Sequence, residues 1–343
     1  MKNLLKDLCS IKGISGKEES VCKFAAEKLS VFADVCITHD NSVIGVIEPE
    51  EGRKTDKHIL FDAHIDQIGL IVTYVHKNGF IKFDTCGGLD PRILYGSTVI
   101  VHGEKDFNGV ICSIPPHLMK SKDKSSLSID DMFIDIGFCS ESIGEKIKPG
   151  DRVSFNKGFY ELLNGNIASP ATDDRSGVYV LIKLAEKLEK LKREKLNIKF
   201  TFLLSSREEI GHLGAKTSAY KIMPDEAISV DVSFAKQPGV SNDKYGVLGK
   251  GPMIGIAPSL STKITDSLKE IAQRENIPHQ FEVMKGRSGT NADSISLIRS
   301  GIPCGLVSIP QRYMHTGIEI VNCNDLDNVT ELLFSYAKQG GAK

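Results

Sequence analysis

Two adjacent carboxylates, Glu208 and Glu209, stand in a Ser- and Gly-containing turn just past Leu196-Asn197-Ile198-Lys199-Phe200-Thr201-Phe202-Leu203-Leu204, a run that reads as a buried strand. Inside a strand, neighbouring side chains point to opposite faces. Beyond its end, two such carboxylates can flank one small object from two directions. A water molecule beside a metal ion is such an object: one carboxylate holds the metal while the other takes the proton. Two glutamates in a loop are, taken alone, more often simply solvated. The assignment therefore depends on what else falls at the same edge.

Four further groups do. The strand over 58–63 ends at His64-Ile65-Asp66, the strand over 227–230 ends at Asp231, and the strand over 304–309 leads to His315. Asp173 lies in the turn before a helix. Each has a bland reading by itself: a satisfied strand-end histidine, a turn aspartate, or, for Asp173-Asp174, a helix cap. Asp66, two residues after His64, shares its side if the strand continues, and could accept the second imidazole N–H. Ligand sites in open α/β sheets lie outside the carboxyl ends of the strands, so these groups could meet in one crevice. Imidazole and carboxylate without thiolate fit a two-metal hydrolytic site, in which one carboxylate bridges ions roughly 3.5–4 Å apart. Rival patterns are weaker. There is no His-Glu-x-x-His, no phosphate loop and no Gly-x-Ser-x-Gly elbow, and Gly249-Lys250-Gly251-Pro252 is wrongly spaced for a dinucleotide loop. Glu209-x-x-His212 has the spacing of a helical metal pair, but Gly211 and Gly214 oppose a helix there. Gly87-Gly88 reads as turn chemistry.

The elements that must position these residues alternate. Residues 17–33 have helical spacing after the Gly13-Ile14-Ser15-Gly16 turn, and a polar stretch near 50–57 leads into the strand before His64. From Gly69 to about Leu163 the texture becomes short β runs between Gly, Pro and Asn turns, with Lys120 to Ser126 expected as an exposed mobile loop. After Thr172-Asp173-Asp174-Arg175-Ser176-Gly177 comes a helix marked by Val178, Leu181, Leu184, Ala185, Leu188 and Leu191, with a solvated basic end. Strands 196–204 and 227–231, helices near 261–275 and 292–300, strand 304–309 and a helix near 326–338 follow. The expected fold is α/β: a mixed sheet with helices on both faces, built from 1–68 and 164–343, plus an inserted small β-barrel-like domain over 69–163.

A chain of 343 residues suggests about two domains. Its 43 basic and 44 acidic residues balance, which gives no electrostatic reason to expect nucleic acid or an anionic membrane as partner. No stretch approaches the ~18 apolar residues of a membrane span, and Met1 to Leu8 lacks the apolar core of a signal peptide. The eight cysteines are scattered without a Cys-x-x-Cys pair, as in reduced thiols of a cytoplasmic protein.

In this order and spacing the motifs resemble the tetrahedral (TET-type) di-metal aminopeptidases, metallopeptidase family forty-two, some of whose members carry an endoglucanase label. The resemblance runs over the whole chain: Gly13-Ile14-Ser15-Gly16-Lys17-Glu18-Glu19, Ala63-His64-Ile65-Asp66-Gln67-Ile68-Gly69, Phe133-Ile134-Asp135-Ile136-Gly137, Pro149-Gly150-Asp151, Ala171-Thr172-Asp173-Asp174-Arg175-Ser176-Gly177, Glu208-Glu209-Ile210-Gly211-His212-Leu213-Gly214-Ala215, Asp231-Val232-Ser233 and Arg312-Tyr313-Met314-His315. It implies a di-zinc exopeptidase-like catalytic domain with two divalent ions per subunit, zinc or cobalt, with manganese as a further candidate. Asp173 would bridge the ions, His64 and Asp231 would complete one and Glu209 and His315 the other. Glu208 would be the general base and Asp66 would orient His64, and the peptide bond after Asp173 is a candidate cis bond. The inserted domain would form dimers, six of which make a dodecameric tetrahedron, with the loop near 119–130 lining a neighbour's site. Two departures from the family pattern, Gln67 and Asn291 where it usually has acids, bear on metal affinity and the substrate pocket.

The expected activity is release of N-terminal residues from short peptides. The alternatives are another two-metal hydrolase, such as a carboxypeptidase or deacylase, then a glycosidase, which needs two carboxylates and no metal. From another class comes a non-catalytic scaffold, although such proteins tend to lose ligands and here all are present.

Overall fold

The computed structural model describes residues 2–49, 55–113, 128–137, 143–191, 197–239 and 245–342. The loop 120–126, and the part of 119–130 up to Leu127, lie outside the described residues. In chain order the strands are β1 (Asp34–Ile37), β2 (Val43–Ile47), β3 (Lys57–His64), β4 (Gly69–Val75), β5 (Ile81–Cys86), β6 (Thr98–His102), β7 (Asp106–Ser113), β8 (Met132–Asp135), β9 (Arg152–Phe155), β10 (Tyr160–Glu161), β11 (Asn166–Ser169), β12 (Ile198–Ser205), β13 (Glu226–Phe234), β14 (Met253–Ile256), β15 (Gln280–Val283), β16 (Cys304–Gln311) and β17 (Glu319–Asn322). The α-helices are α1 (Lys2–Ser10), α2 (Glu19–Leu29), α3 (Ile143–Lys146), α4 (Thr172–Leu191), α5 (Leu213–Ile222), α6 (Thr262–Arg274), α7 (Asn291–Ile295) and α8 (Cys323–Lys338).

The main sheet has eight strands in the order β1-β2-β12-β3-β13-β16-β14-β15. Its centre, β12, β3, β13 and β16, is parallel, so Ser205, His64, Asp231 and Gln311 come to one edge. Period-two alternation sorts the central strand β3: Ile59, Phe61 and Ala63 join the core under α4, α8 and α6, while Leu60 joins the opposite core under α5 and α7. Asp62 and His64 fall on the α5/α7 face with Leu60. Apolar burial on both faces is what makes these strands near-continuous hydrophobic runs.

Between β3 and α4 the chain forms a closed barrel, β4-β5-β8-β7-β6-β9, around its own core of Leu70, Val72, Ile81, Val99, Ile111, Ile134 and Val153. The fold is thus α/β with an inserted barrel, as the sequence texture indicates. Strands β10, β11 and β17 make a separate three-stranded sheet.

One local expectation is corrected. The helix near 292–300 is only Asn291–Ile295, because Ser296 turns its hydroxyl onto the Asp293 carbonyl and Arg299 takes a left-handed φ of 53°. Helix α5 begins beyond the Glu209/His212 pair, at Leu213. At Gly214 a Cβ would lie 2.5 Å from the Ser206 carbonyl oxygen, so only glycine lets that helix start against the turn carrying the two glutamates. No helix among the described residues is long and apolar enough to cross a membrane.

Candidate active site

The carboxyl edge of the parallel strands opens into a cavity of about 640 Å³. His64, Asp173, Glu208, Glu209, Asp231 and His315 all line it. Asp66, the remaining residue singled out from the sequence, lies behind it and is fully buried.

Asp173 stands at the middle. Its Oδ1 is 2.8 Å from His64 Nε2, and its Oδ2 is 3.6 Å from His315 Nε2. The same His64 nitrogen is 3.8 Å from Asp231 Oδ1, and the same His315 nitrogen is 3.4 Å from Glu209 Oε2. Two three-residue groups result, His64/Asp173/Asp231 and Asp173/Glu209/His315, each with ligand atoms within 4.8 Å of one another. A third combination, His64/Glu208/Glu209, meets the same distance. The peptide bond joining Asp173 to Asp174 is cis.

Behind this layer, Asp66 holds three parts of the site at once. His64 Nδ1 lies 3.5 Å from its Oδ1 and 3.2 Å from its backbone oxygen. Its Oδ1 accepts the Glu208 N–H at 2.9 Å, and its Oδ2 accepts the Glu209 N–H at 3.3 Å and the Ser15 hydroxyl at 2.5 Å. Burial opposes its charge, but these donors and the imidazole hold its pKa below the ordinary value.

Glu319 does the same on the other side, and nothing in the sequence marks it. Its Oε2 accepts the backbone N–H of Asp173 at 3.0 Å and the Thr172 hydroxyl at 3.1 Å, and its Oε1 accepts the backbone N–H of His315 at 3.2 Å. His315 takes a left-handed φ of 58°, a conformation that favours glycine, so its turn needs such an anchor. His212, whose Nε2 is 3.4 Å from Glu208 Oε1, also lines the cavity. The only sequence signal for it is its place in the same turn.

The electrostatics favour added positive charge. Burial first, then the neighbouring carboxylates, push Asp231 and Glu209 well above the ordinary carboxylate range. Burial likewise raises Glu208 to about 7. His64 is raised because hydrogen bonds to Asp173 and Asp66 outweigh its own burial. Among the described residues no lysine or arginine lines the cavity, and Glu209 Oε1 is buried without a hydrogen-bond partner. A set of oxygen and imidazole donors that retains protons and has an unused buried oxygen fits divalent cations.

The two departures face elsewhere. Gln67 Oε1 accepts the Gly13 N–H at 3.3 Å and lies 3.5 Å from Nη2 of the buried Arg175. Asn291 donates to Ser205 at 2.8 Å. Neither lines the cavity.

Residues 43–332 match the family described as M42 glutamyl aminopeptidase. A putative aminopeptidase of Acetivibrio thermocellus is 33% identical over 97% of each chain. Among solved structures, an aminopeptidase of the archaeon Desulfurococcus kamchatkensis superposes with a TM-score of 0.91 at 33% identity, covering 98% of this chain and 94% of that one. The TET1 peptidase of Pyrococcus horikoshii, described as assembling into a tetrahedron or a large octahedral shell, gives 0.83 at 31% identity over 98% of both chains. The chain thus belongs to the M42 glutamyl aminopeptidase family and is a peptidase.

Proposed function

We propose that this protein is a metal-dependent aminopeptidase that removes N-terminal residues from short peptides. The observation that carries the reading is the pair of candidate metal-ligand groups sharing Asp173, with the Glu208 carboxylate in the same cavity. His64 and Asp231 would hold one divalent ion, Glu209 and His315 the other, and Asp173 both, with zinc, cobalt and manganese as candidates. When bound, such ions polarise a carbonyl and lower the pKa of water toward ~7.

Glu208 then takes a proton from water and passes it to the leaving amine. A carboxyl raised by burial suits both halves of that transfer near neutral pH. Asp66 fixes the ring of His64 and, through the two N–H groups, the placement of Glu208 and Glu209. Preference for a free N-terminus is supported by charge. A terminal ammonium is attracted into a cavity rich in carboxylates, whereas a carboxypeptidase needs a cation for the terminal carboxylate and no lysine or arginine among the described residues lines this one.

The inserted domain, residues 69–163, which contains the barrel of β4 to β9, is proposed as the dimerisation domain, with dimers assembling into a dodecamer as implied by the TET relatives. Light scattering of the purified protein measures that mass directly.

The test of the catalytic assignment is Glu208→Gln. It should keep both ions and lose ~10²–10⁴-fold in turnover. Peptides with free and blocked N-termini, assayed in parallel, separate the aminopeptidase from a deacylase or carboxypeptidase. Undiminished turnover in the variant removes Glu208 from the mechanism.

A further inference from the structure

Five carboxylates line the cavity, and four of them belong to the groups described above. The fifth, Glu282, is on β15, an edge strand three places from β13. Its register partner is Gly255 on β14. The Glu282 side chain reaches past β14 to the strands beyond. One of its oxygens bonds the Ser233 hydroxyl on β13, and the other bonds the Ser308 hydroxyl on β16 at 2.7 Å. No ion pair involves Glu282 among the described residues, and Lys285 and Arg287, the cations following it in the chain, are exposed and outside the cavity lining. Among the described residues this half-buried carboxylate is held by two neutral hydroxyls and faces no cation.

We infer that Glu282 selects substrates whose N-terminal residue is cationic, lysine or arginine, by receiving that side chain's charge at the far end of the cavity. The inference rests on the aminopeptidase reading and names the substrate class for it. Ser233, which Glu282 touches, lies two residues along β13 from Asp231, on the same face. Two residues of strand span about 6–7 Å. The extended side chain of lysine covers a similar distance, roughly 6 Å from Cα to the ammonium. A residue whose scissile carbonyl sits at the Asp231 end can therefore bring its side-chain charge to Glu282. Phe234 and Met284 line the same cavity and offer apolar surface to the methylene stem. An acidic side chain would meet a like charge, and an apolar one would desolvate Glu282 without replacing its water. A site built for a charged partner discriminates strongly against substrates lacking it.

The experiment is a panel of lysyl, arginyl, leucyl and glutamyl p-nitroanilides on the full-length protein reloaded with zinc, cobalt or manganese, reading kcat and KM separately. Lysyl and arginyl substrates should exceed leucyl by roughly 10- to 100-fold in kcat/KM, the range expected of a charged hydrogen bond, with glutamyl last. In Glu282→Gln that advantage over leucyl should collapse, chiefly through KM for the basic substrates. Glu282→Lys should move the preference toward glutamyl. A leucyl or glutamyl preference in the unmodified protein overturns the inference, as does a Glu282→Gln variant that lowers all four substrates equally. Turnover of none of the panel overturns the aminopeptidase reading itself, and this inference with it.

Discussion

Glu319 joins two parts of the site through backbone N–H groups that have no other role in the sheet, and its replacement should separate them. In Glu319→Ala, the N–H groups of Asp173 and His315 lose their acceptor. Gln311 and Thr172 remain bonded to each other at 2.8 Å, so the side-chain donors are partly provided for. A buried donor left without an acceptor costs about 1–3 kcal/mol, so two cost about 2–6 kcal/mol, reduced by whatever is recovered in removing a buried polar carboxyl. Glu319→Gln is milder. Its amide offers one acceptor oxygen, so either the Asp173 or the His315 N–H faces an NH₂ group, at about 1–3 kcal/mol. The site should respond beyond simple destabilisation, because the His315 turn loses its tether. Supports of this kind typically carry 10- to 100-fold in metal affinity. Urea denaturation of the metal-stripped protein measures the first quantity, and competition with a chelator of known affinity measures the second. A Glu319→Gln variant with unchanged metal affinity refutes the positioning role. Unchanged stability in Glu319→Ala refutes the accounting of the hydrogen bonds.

Three further outcomes follow from the same geometry. Glu209→Gln should lower the metal content measured by mass spectrometry, whereas Glu208→Gln should not, and the reverse result would exchange their roles. His58 has its pKa lowered to about 4 by burial and by the Lys199 charge. The unfolded chain therefore binds the extra proton as pH falls from about 6.5 to 4, and folding stability is lost across that window. His58→Gln should flatten that decline by about 1–3 kcal/mol, a range already reduced for the ring's partial exposure, in denaturation curves at pH 7 and pH 4.5. Burial raises the thiol of Cys9 to about 12 and that of Cys22 higher still, while Cys36 is exposed. A thiol reagent under native conditions should label Cys36 and leave Cys9 and Cys22 untouched until the protein unfolds, as peptide mapping would report.

The parallel strands could be read from the sequence because their two-sided burial leaves long apolar runs, and polar residues at the ends of those runs stand out. His64, Glu208, Glu209, Asp231 and His315 are legible in this way, and Asp173 through its turn before a helix. What escaped was set by tertiary contact. Glu319 looks like any acid opening a strand, and its role exists only because β17 passes beside Asp173. Glu282 sits on a four-residue edge strand, too short for its alternation to be distinctive. Helix α5 was hidden by the glycines that let it pack, and α7 was read too long because helical spacing persists through a serine-rich segment that turns instead. Gln67 illustrates a different failure. Adjacency to His64 and Asp66 suggests an effect on metal, but its side chain is spent on Gly13 and Arg175 at the back of the fold.

One wall of the cavity comes from outside the main sheet. Gly87 and Gly88 follow β5 of the barrel, and a Cβ at Gly88 would stand 3.0 Å from His315 Nδ1, while one at Gly87 would stand 3.4 Å from Glu209 Oε2. Glu209 and His315, the proposed ligands nearest this wall, belong with Asp173 to the group that does not include His64 or Asp231. A side chain on either glycine would therefore press on Glu209 or His315 and leave His64 and Asp231 untouched. The shape of this wall thus bears directly on Glu209 and His315, and on His64 and Asp231 only through Asp173.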